Sequence, residues 1–169
     1  MKLNLKHIAQ EPGAFLPFDF ELDLSQIEWN GHRPFSNGVH ITGRVRNMAG
    51  AMLLNAKLSS VLSLVCDRCA KPFEREKTVE YETLLAFELA NGESDDIVVL
   101  NGDGELALDE LMEEVFLLEM DTKNLCSEDC KGLCSGCGAD LNREPCRCKK
   151  EIDPRLAKLA QLLENRGDK

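Results

Sequence analysis

Hydrophobic and polar residues alternate over much of the first half of the chain, as they do in half-buried β-strands. From Phe18 to Leu24 every second residue is apolar, and acidic residues stand between them. The alternation resumes at Val39, continues from Ala51 to Val65, and returns from Val79 to Phe87. We therefore predict an antiparallel sheet, open or barrel-like, within residues 1–100.

The longest of these alternating segments leads directly into two cysteines. Its alternation changes phase at Val61, which predicts a β-bulge. The turn Cys66-Asp67-Arg68-Cys69 follows at once, and the next alternating run comes after it. The sequence thus predicts a hairpin with this cysteine pair at its tip. A short apolar run from Ile97 to Leu100 is a further strand candidate.

Two later segments carry apolar residues at helical spacing. The first predicts an amphipathic helix with acidic residues on its outer face, where Asp and Glu near the N-terminal end favour the helix dipole. The second begins at Asp153-Pro154, a capping residue followed by a proline suited to the first helical position. This second segment predicts a C-terminal helix that either docks on the body of the protein or binds a partner. The apolar positions are Leu108, Leu111, Met112, Val115 and Leu118 or Glu119 in the first and Leu156, Leu159, Ala160 and Leu163 in the second.

These elements predict an α+β protein in two parts. Residues 1–125 form a sheet-rich α+β domain that carries a zinc-ligand hairpin at residues 66–69. Residues 126–169 form a small Cys-rich zinc-binding segment and the C-terminal helix. A chain of 169 residues is long enough for one domain with such an extension.

Eight cysteines are the strongest chemical signal in the sequence. The first residues contain no apolar run of signal-peptide length, and no later stretch is long and apolar enough for a membrane helix. We therefore expect a cytoplasmic protein without a membrane segment. Because the cytosol keeps thiols reduced, metal binding is a better explanation of the cysteines than disulfide formation.

The cysteine spacing suggests two structural zinc sites, since such sites take four tetrahedral ligands. Four of the cysteines form a local knuckle closed by a short loop, namely Cys134, Cys137, Cys146 and Cys148. By exclusion the second set is Cys66, Cys69, Cys126 and Cys130. The alternative is a single ion, with some thiols, above all Cys126 or Cys130, free. Two complete sets of four thiolates leave no open position for a catalytic water.

The formal charge of −10 argues against a protein that coats nucleic acid by bulk electrostatics. Residues 91–130 contain 13 acids and one Lys, whereas residues 131–169 contain nine bases and six acids. The acidic part is suited to a basic protein or simply to water. Any contact with RNA is expected in the basic C-terminal third.

Three stretches together resemble a known group, the bacterial YceD family described as large ribosomal RNA subunit accumulation protein. They are Cys66-Asp67-Arg68-Cys69-Ala70-Lys71-Pro72-Phe73, the long run from Leu125 to Asn142, and Ile152-Asp153-Pro154-Arg155-Leu156. The resemblance implies a non-enzymatic factor that supports the synthesis, processing or stability of 23S ribosomal RNA. Its expected partner is ribosomal RNA or a basic large-subunit ribosomal protein, and no small-molecule substrate is evident.

Two other kinds of function remain as alternatives. The chain could be a redox-sensitive zinc protein, in which oxidation releases zinc and exposes the apolar stripe of residues 156–163. It could also be a protein-interaction adaptor. An enzyme is not expected, because the sequence contains no phosphate-binding glycine loop and no Ser/His/Asp set with meaningful spacing.

Overall fold

The computed structural model describes residues 1–48, 51–87 and 97–148. The predicted C-terminal helix lies outside these residues. The chain forms two compact units. The first consists of Met1–Asp67 and Lys71–Cys126, and the second combines Arg68–Ala70 with the described residues from Ser127 onward.

Mixed α+β structure makes up the first unit, and most of it is sheet. One sheet has five strands, which are β2 (Phe15–Leu22), β3 (Val39–Met48), β4 (Ala51–Val65), β5 (Pro72–Ala86) and β6 (Ile97–Val99). A smaller antiparallel sheet pairs β1 (Lys2–Asn4) with β7 (Glu105–Ala107). The helices are α1 (Lys6–Ala9) and α2 (Leu108–Leu118). Neither of these described helices has the length and apolar character needed to cross a lipid bilayer.

The five-stranded sheet is open, so the barrel-like form expected from the sequence is wrong. Its strand order is β2-β3-β4-β5-β6, which leaves β2 and β6 at opposite edges, whereas a barrel requires the first and last strands to pair. Strands β2 to β5 are antiparallel, but β6 runs parallel to β5 over only three residues. So short an edge strand offers too few backbone groups to close the sheet.

The predicted bulge at Val61 is also wrong, because β4 pairs without interruption on both sides. Its register with β5 runs unbroken from Met52 opposite Leu85 to Val65 opposite Pro72. The apparent change of phase arises at Ser60, which occupies a position of core-facing parity and donates its hydroxyl to the Gly38 carbonyl at 2.5 Å. Side chains of β4 therefore continue to alternate between the two faces of the sheet through Ser60, although its polar side chain interrupts the hydrophobic pattern in the sequence.

The core of the first unit combines buried residues of the sheet with buried residues of α2. Four residues of α2 are buried, namely Leu108, Met112, Val115 and Phe116. Phe116 meets the fully buried Phe35 edge to face, with ring centroids 6.0 Å apart, a favoured arrangement for aromatic pairs. The face of α2 that carries these residues is thereby fixed against the body of the unit.

Gly43 marks a point in β3 where the sheet admits no side chain. It lies opposite Phe18 of β2 and Ala56 of β4. A Cβ atom at residue 43 would stand 2.5 Å from the Phe18 ring and would also collide with the backbone carbonyl of Asn55. The Phe18 ring, which is 6% exposed, thus lies over the space that the glycine leaves.

Candidate metal centres

The β4–β5 hairpin presents the first cysteine pair, and the predicted hairpin with cysteines at its tip is confirmed. Cys66 follows β4 directly, and its backbone N–H donates to the Lys71 carbonyl at 2.9 Å, which closes the turn. Ala70 completes the turn in the left-handed region, with φ of 55°. Cys66 and Cys69 are 2% and 4% exposed. Both sulfur atoms are thus held in a tight turn away from bulk solvent.

Four cysteines from distant parts of the sequence form what we term the buried group: Cys66, Cys69, Cys126 and Cys130. Their sulfur atoms all lie within 4.8 Å of one another. Tetrahedral zinc with Zn–S distances of about 2.3 Å places its sulfurs roughly 3.8 Å apart, so the group is compact enough for one ion. Cys126 is exposed and the other three are buried.

Within the first unit, hydrogen bonds fix the chain just before Cys126. The Asp67 N–H donates to the Asn124 carbonyl at 2.8 Å, and the Asn124 N–H donates to the Asp67 carboxylate at 2.6 Å. The Arg75 guanidinium donates to the Leu125 carbonyl at 2.6 Å and forms an ion pair with Asp121 at 3.2 Å. The backbone of Asn124 and Leu125 and the side chain of Asp121 are thus held in place immediately before Cys126.

In the second unit, Arg68 organises the chain around Cys130. Its guanidinium donates to the Cys130 carbonyl at 2.7 Å, and its own carbonyl accepts the Leu133 N–H at 2.9 Å. Gly132 precedes Leu133 and has a φ of 76°. A Cβ atom at residue 132 would lie 2.8 Å from the Arg68 carbonyl oxygen. The glycine allows this close backbone approach.

The remaining cysteines form what we term the knuckle group: Cys134, Cys137, Cys146 and Cys148. Their sulfur atoms also lie within 4.8 Å of one another. The Cys134 sulfur lies 3.0 Å from that of Cys146, which in turn lies 3.7 Å from that of Cys137. None of the four is buried, and Cys137 and Cys148 are exposed.

A tight turn and two backbone amides shape the knuckle group. The Gly138 N–H donates to the Cys134 carbonyl at 2.9 Å, and the Cys134 N–H donates to the Ala139 carbonyl at 2.8 Å. The N–H groups of Gly136 and Cys148 approach the sulfurs of Cys134 and Cys146 at 3.4 and 3.2 Å. Amides directed at sulfur stabilise thiolates, the form that binds metal.

The knuckle thiols affect one another's ionisation strongly. Hydrogen bonding from Cys146, together with the Cys137 and Gly136 amides, lowers the pKa of Cys134 to about 6. Hydrogen bonds with Cys137 and Cys146 raise the pKa of Cys148 to about 12. Four close sulfurs therefore ionise readily once but resist further loss of protons, unless a cation compensates the accumulating negative charge.

The residues present fit a thiolate-binding metal at both groups. Each group supplies four soft sulfur donors and, within the described part of the chain, includes no oxygen donor, which favours zinc or a similar soft ion over magnesium or calcium. The knuckle is also closely filled, since a Cβ on Gly136 would lie 3.1 Å from the Cys148 sulfur. These are the two sets into which sequence spacing divides the eight cysteines. Their role as metal ligands stays a prediction.

Asn142 is a residue of the site that sequence reasoning did not single out. Its side-chain amide donates to the Cys130 sulfur at 3.5 Å and to an Asp140 carboxylate oxygen at 2.8 Å. Its side-chain carbonyl accepts the Lys131 N–H at 2.7 Å. Asn142 thus contacts a sulfur of the buried group from a loop that leads into the knuckle. An isolated asparagine in a loop gives no sequence signal of such a role.

Comparison with known proteins gives one family and several relatives. The family described as large ribosomal RNA subunit accumulation protein YceD matches residues 54–163. An uncharacterized protein of Mycobacterium tuberculosis is 30% identical, with 99% of this chain and 84% of the relative covered. Uncharacterized proteins of Mycobacterium leprae and Bacillus subtilis are 26% and 25% identical; the alignments cover 95% and 97% of this chain and 76% and 97% of the relatives. No solved structure matches the chain significantly.

Proposed function

The chain belongs to the YceD family of large ribosomal RNA subunit accumulation proteins, and from this premise we propose that it is a zinc-stabilised, non-enzymatic factor for large-subunit biogenesis. In this proposal it supports the synthesis, processing or stability of 23S ribosomal RNA in the cytoplasm. The family match over residues 54–163 is the observation that carries the ribosomal part. The matched span includes all eight cysteines.

Zinc is the metal we propose for both cysteine groups. Four cysteine sulfurs close enough to share one ion are typical of structural zinc sites, which contribute directly to folding. The buried group would fix the β4–β5 hairpin tip and the chain at Cys126 and Cys130 to one ion. The knuckle group would hold residues 134–148 in their compact turn.

A role without catalysis is supported by the donor sets. Catalytic zinc sites keep one coordination position open for water, and they usually combine fewer than four protein ligands with that position. Each group here offers four sulfurs to one ion. A metal that is fully coordinated by protein stabilises structure and does not activate water.

The ribosomal part is tested by deleting the gene in its native bacterium. We expect the ratio of 23S to 16S ribosomal RNA to fall and mature large subunits to decrease in sucrose gradients. Plasmid-borne wild-type protein should restore both. An unchanged 23S to 16S ratio, with normal large-subunit peaks, would refute the ribosomal function. The metal part is tested separately by native mass spectrometry, where we expect two zinc ions per chain.

A redox-sensitive zinc protein is a second candidate, favoured by the exposure of Cys137 and Cys148. Exposed thiolates are the ones that oxidants reach first. In this case mild peroxide should release one zinc per chain, and the treated protein should gain a binding activity that reductant and zinc reverse. Zinc release without any such gain would count against it.

A further inference from the structure

Helix α2 carries a second stripe of residues, none of which is fully buried; of these, Leu117 packs partly against the core. This stripe contains Glu110, Glu113, Glu114, Leu117 and Leu118, at the spacing i, i+3, i+4, i+7 and i+8 of one helical face. Together with Trp29 it lines an open cavity of about 620 Å³. We call this cavity the α2 groove. All of it belongs to the first unit.

The α2 groove contains apolar side chains and one buried hydrogen-bond donor that has no partner among the described residues. Leu118 is 77% exposed, the most exposed large hydrophobic side chain among the described residues. Trp29 and Leu117 are half-buried beside it. The Trp29 indole N–H is buried and has no hydrogen-bond partner within the described part of the chain. An exposed leucine next to a half-buried tryptophan is typical of a surface that binds another apolar group.

The rim of the α2 groove is acidic, and its glutamates differ from neighbouring acids in that they form no ion pairs with described residues. Asp109 is paired with the N-terminal amine, and Asp121 with Arg75 and Lys77. The three rim glutamates, in contrast, form no ion pair with any described residue of the chain. Residues 101–122 contain eight acids and no Lys or Arg, so this segment itself carries a large negative charge.

We propose that the α2 groove binds a Lys/Arg-rich segment of a partner protein, which places an apolar side chain against Leu118 and Trp29. Basic side chains of that segment pair with Glu110, Glu113 and Glu114, whose helical spacing brings their carboxylates onto one face. RNA is the wrong ligand here, because unpaired carboxylates repel its phosphates. The inference rests on the proposed function for the source of the segment, a large-subunit ribosomal protein.

The test starts from the zinc-loaded full chain and a peptide array. The array carries overlapping peptides of about 15 residues, four helical turns, that cover the large-subunit ribosomal proteins. Affinity for the strongest peptide is then measured by fluorescence anisotropy at low and high salt. We expect Leu118→Ser to weaken binding about tenfold or more, because it removes the exposed anchor. The double substitution Glu113→Gln/Glu114→Gln should weaken it several-fold and flatten its salt dependence.

Matched controls carry the same changes outside the α2 groove. Leu84→Ser alters another exposed leucine, and Glu76→Gln/Glu80→Gln neutralises two exposed acids on β5. Both control proteins should bind the peptide like the wild type. The proposal is overturned if no basic peptide binds, if the groove variants bind as the controls do, or if Leu118→Ser weakens binding of a 23S RNA fragment instead.

Complementation in the deletion strain separates this inference from the proposed function. If deletion lowers the 23S to 16S ratio and Leu118→Ser fails to restore it while Leu84→Ser succeeds, the groove inference is supported. Full rescue by both groove variants would overturn the inference and leave the ribosomal function intact. If deletion has no effect on 23S RNA but a basic peptide binds the α2 groove as expected, the binding surface stands and the ribosomal function fails.

Discussion

The two cysteine groups share one donor set but differ in their surroundings. In the buried group Cys66, Cys69 and Cys130 are each at most 4% exposed, whereas no member of the knuckle group is buried. Between Cys69 and Cys126 lie 56 residues, and between Cys137 and Cys146 only eight. The same four thiolates can therefore serve as a solvent-shielded link between distant segments or as a local clamp within one short segment.

Loop length sets how much each link should contribute to stability. A cross-link reduces the entropy of the unfolded chain by an amount that grows with the logarithm of the loop it closes. For the 56 residues between Cys69 and Cys126, this relation gives about 4 kcal/mol. The eight-residue loop of the knuckle contributes less. The comparison predicts unequal consequences when each group is broken.

The largest effect is expected from Cys66→Ser. It removes a ligand of the long-range link and leaves the remaining buried thiols without their ion. We expect a destabilisation of about 4 kcal/mol or more, measured as a lower melting temperature by circular dichroism. Cys126→Ser is the matched variant, because it removes a ligand of the same ion at an exposed position and leaves core packing undisturbed. Its melting temperature should also fall, and that decrease measures loss of the ion alone. An unchanged melting temperature in both variants would show that the buried group holds no structural metal.

Cys146→Ser should have a smaller and local effect. It removes one ligand of the knuckle, so the protein should keep one zinc ion and its sheet. We expect hydrogen exchange to accelerate in residues 134–148 while β3, β4 and β5 stay protected. Loss of protection throughout the sheet would contradict the division between a long-range link and a local clamp.

Chelation should release the two ions at different rates. A chromogenic zinc chelator reaches exposed sulfurs more readily, so the knuckle ion should leave first and the buried ion at least about tenfold more slowly. The release curve should then show two phases of equal amplitude. In Cys146→Ser the fast phase should disappear and the slow phase persist. A single phase in the wild type would mean that burial does not distinguish the groups.

The smallest effect concerns Asn142, the amide that contacts the Cys130 sulfur. Asn142→Leu removes this donor and should cost about 1 kcal/mol, equivalent to a roughly fivefold weaker affinity for the buried ion. Competition with a chelator of known affinity measures the change. The matched control is Asn101→Leu, another exposed asparagine outside both groups. Equal zinc affinity in the two variants would exclude a role for the Asn142 contact.

Local pattern was sufficient to predict most of the large sheet. The strands β2 to β5 have strong period-two alternation, and the cysteine turn lies between two such strands. Two features of the sheet that the sequence did not predict have definite physical causes. Ser60 is polar yet occupies a core-facing position, so polarity alone suggested a bulge that pairing excludes. The parallel pairing of β6 depends on where the chain returns to the sheet, which periodicity does not encode.

The candidate site was predictable at the level of residue type and spacing, and less so in its surroundings. Cysteine spacing points to metal because few other chemistries need eight thiols in such pairs. The contacts of Arg68 and Asn142 could not be predicted from the sequence, because each joins a side chain to an atom that is distant in the sequence or lies in another loop. The short elements β1, β7 and α1 were not predicted either. They have three or four residues each, too few for any periodic signal.

The space above Gly43 has a consequence for reading distant members of the family. Since a side chain there would strike both the Phe18 ring and the backbone of β4, a glycine at 43 and a bulky ring at 18 should vary together. Such a coupled pair gives a fixed point for aligning relatives whose identity has fallen to about a quarter. In a remote sequence, an aromatic residue in one alternating segment and a glycine about 25 positions later in the next would support the assignment of these segments as β2 and β3.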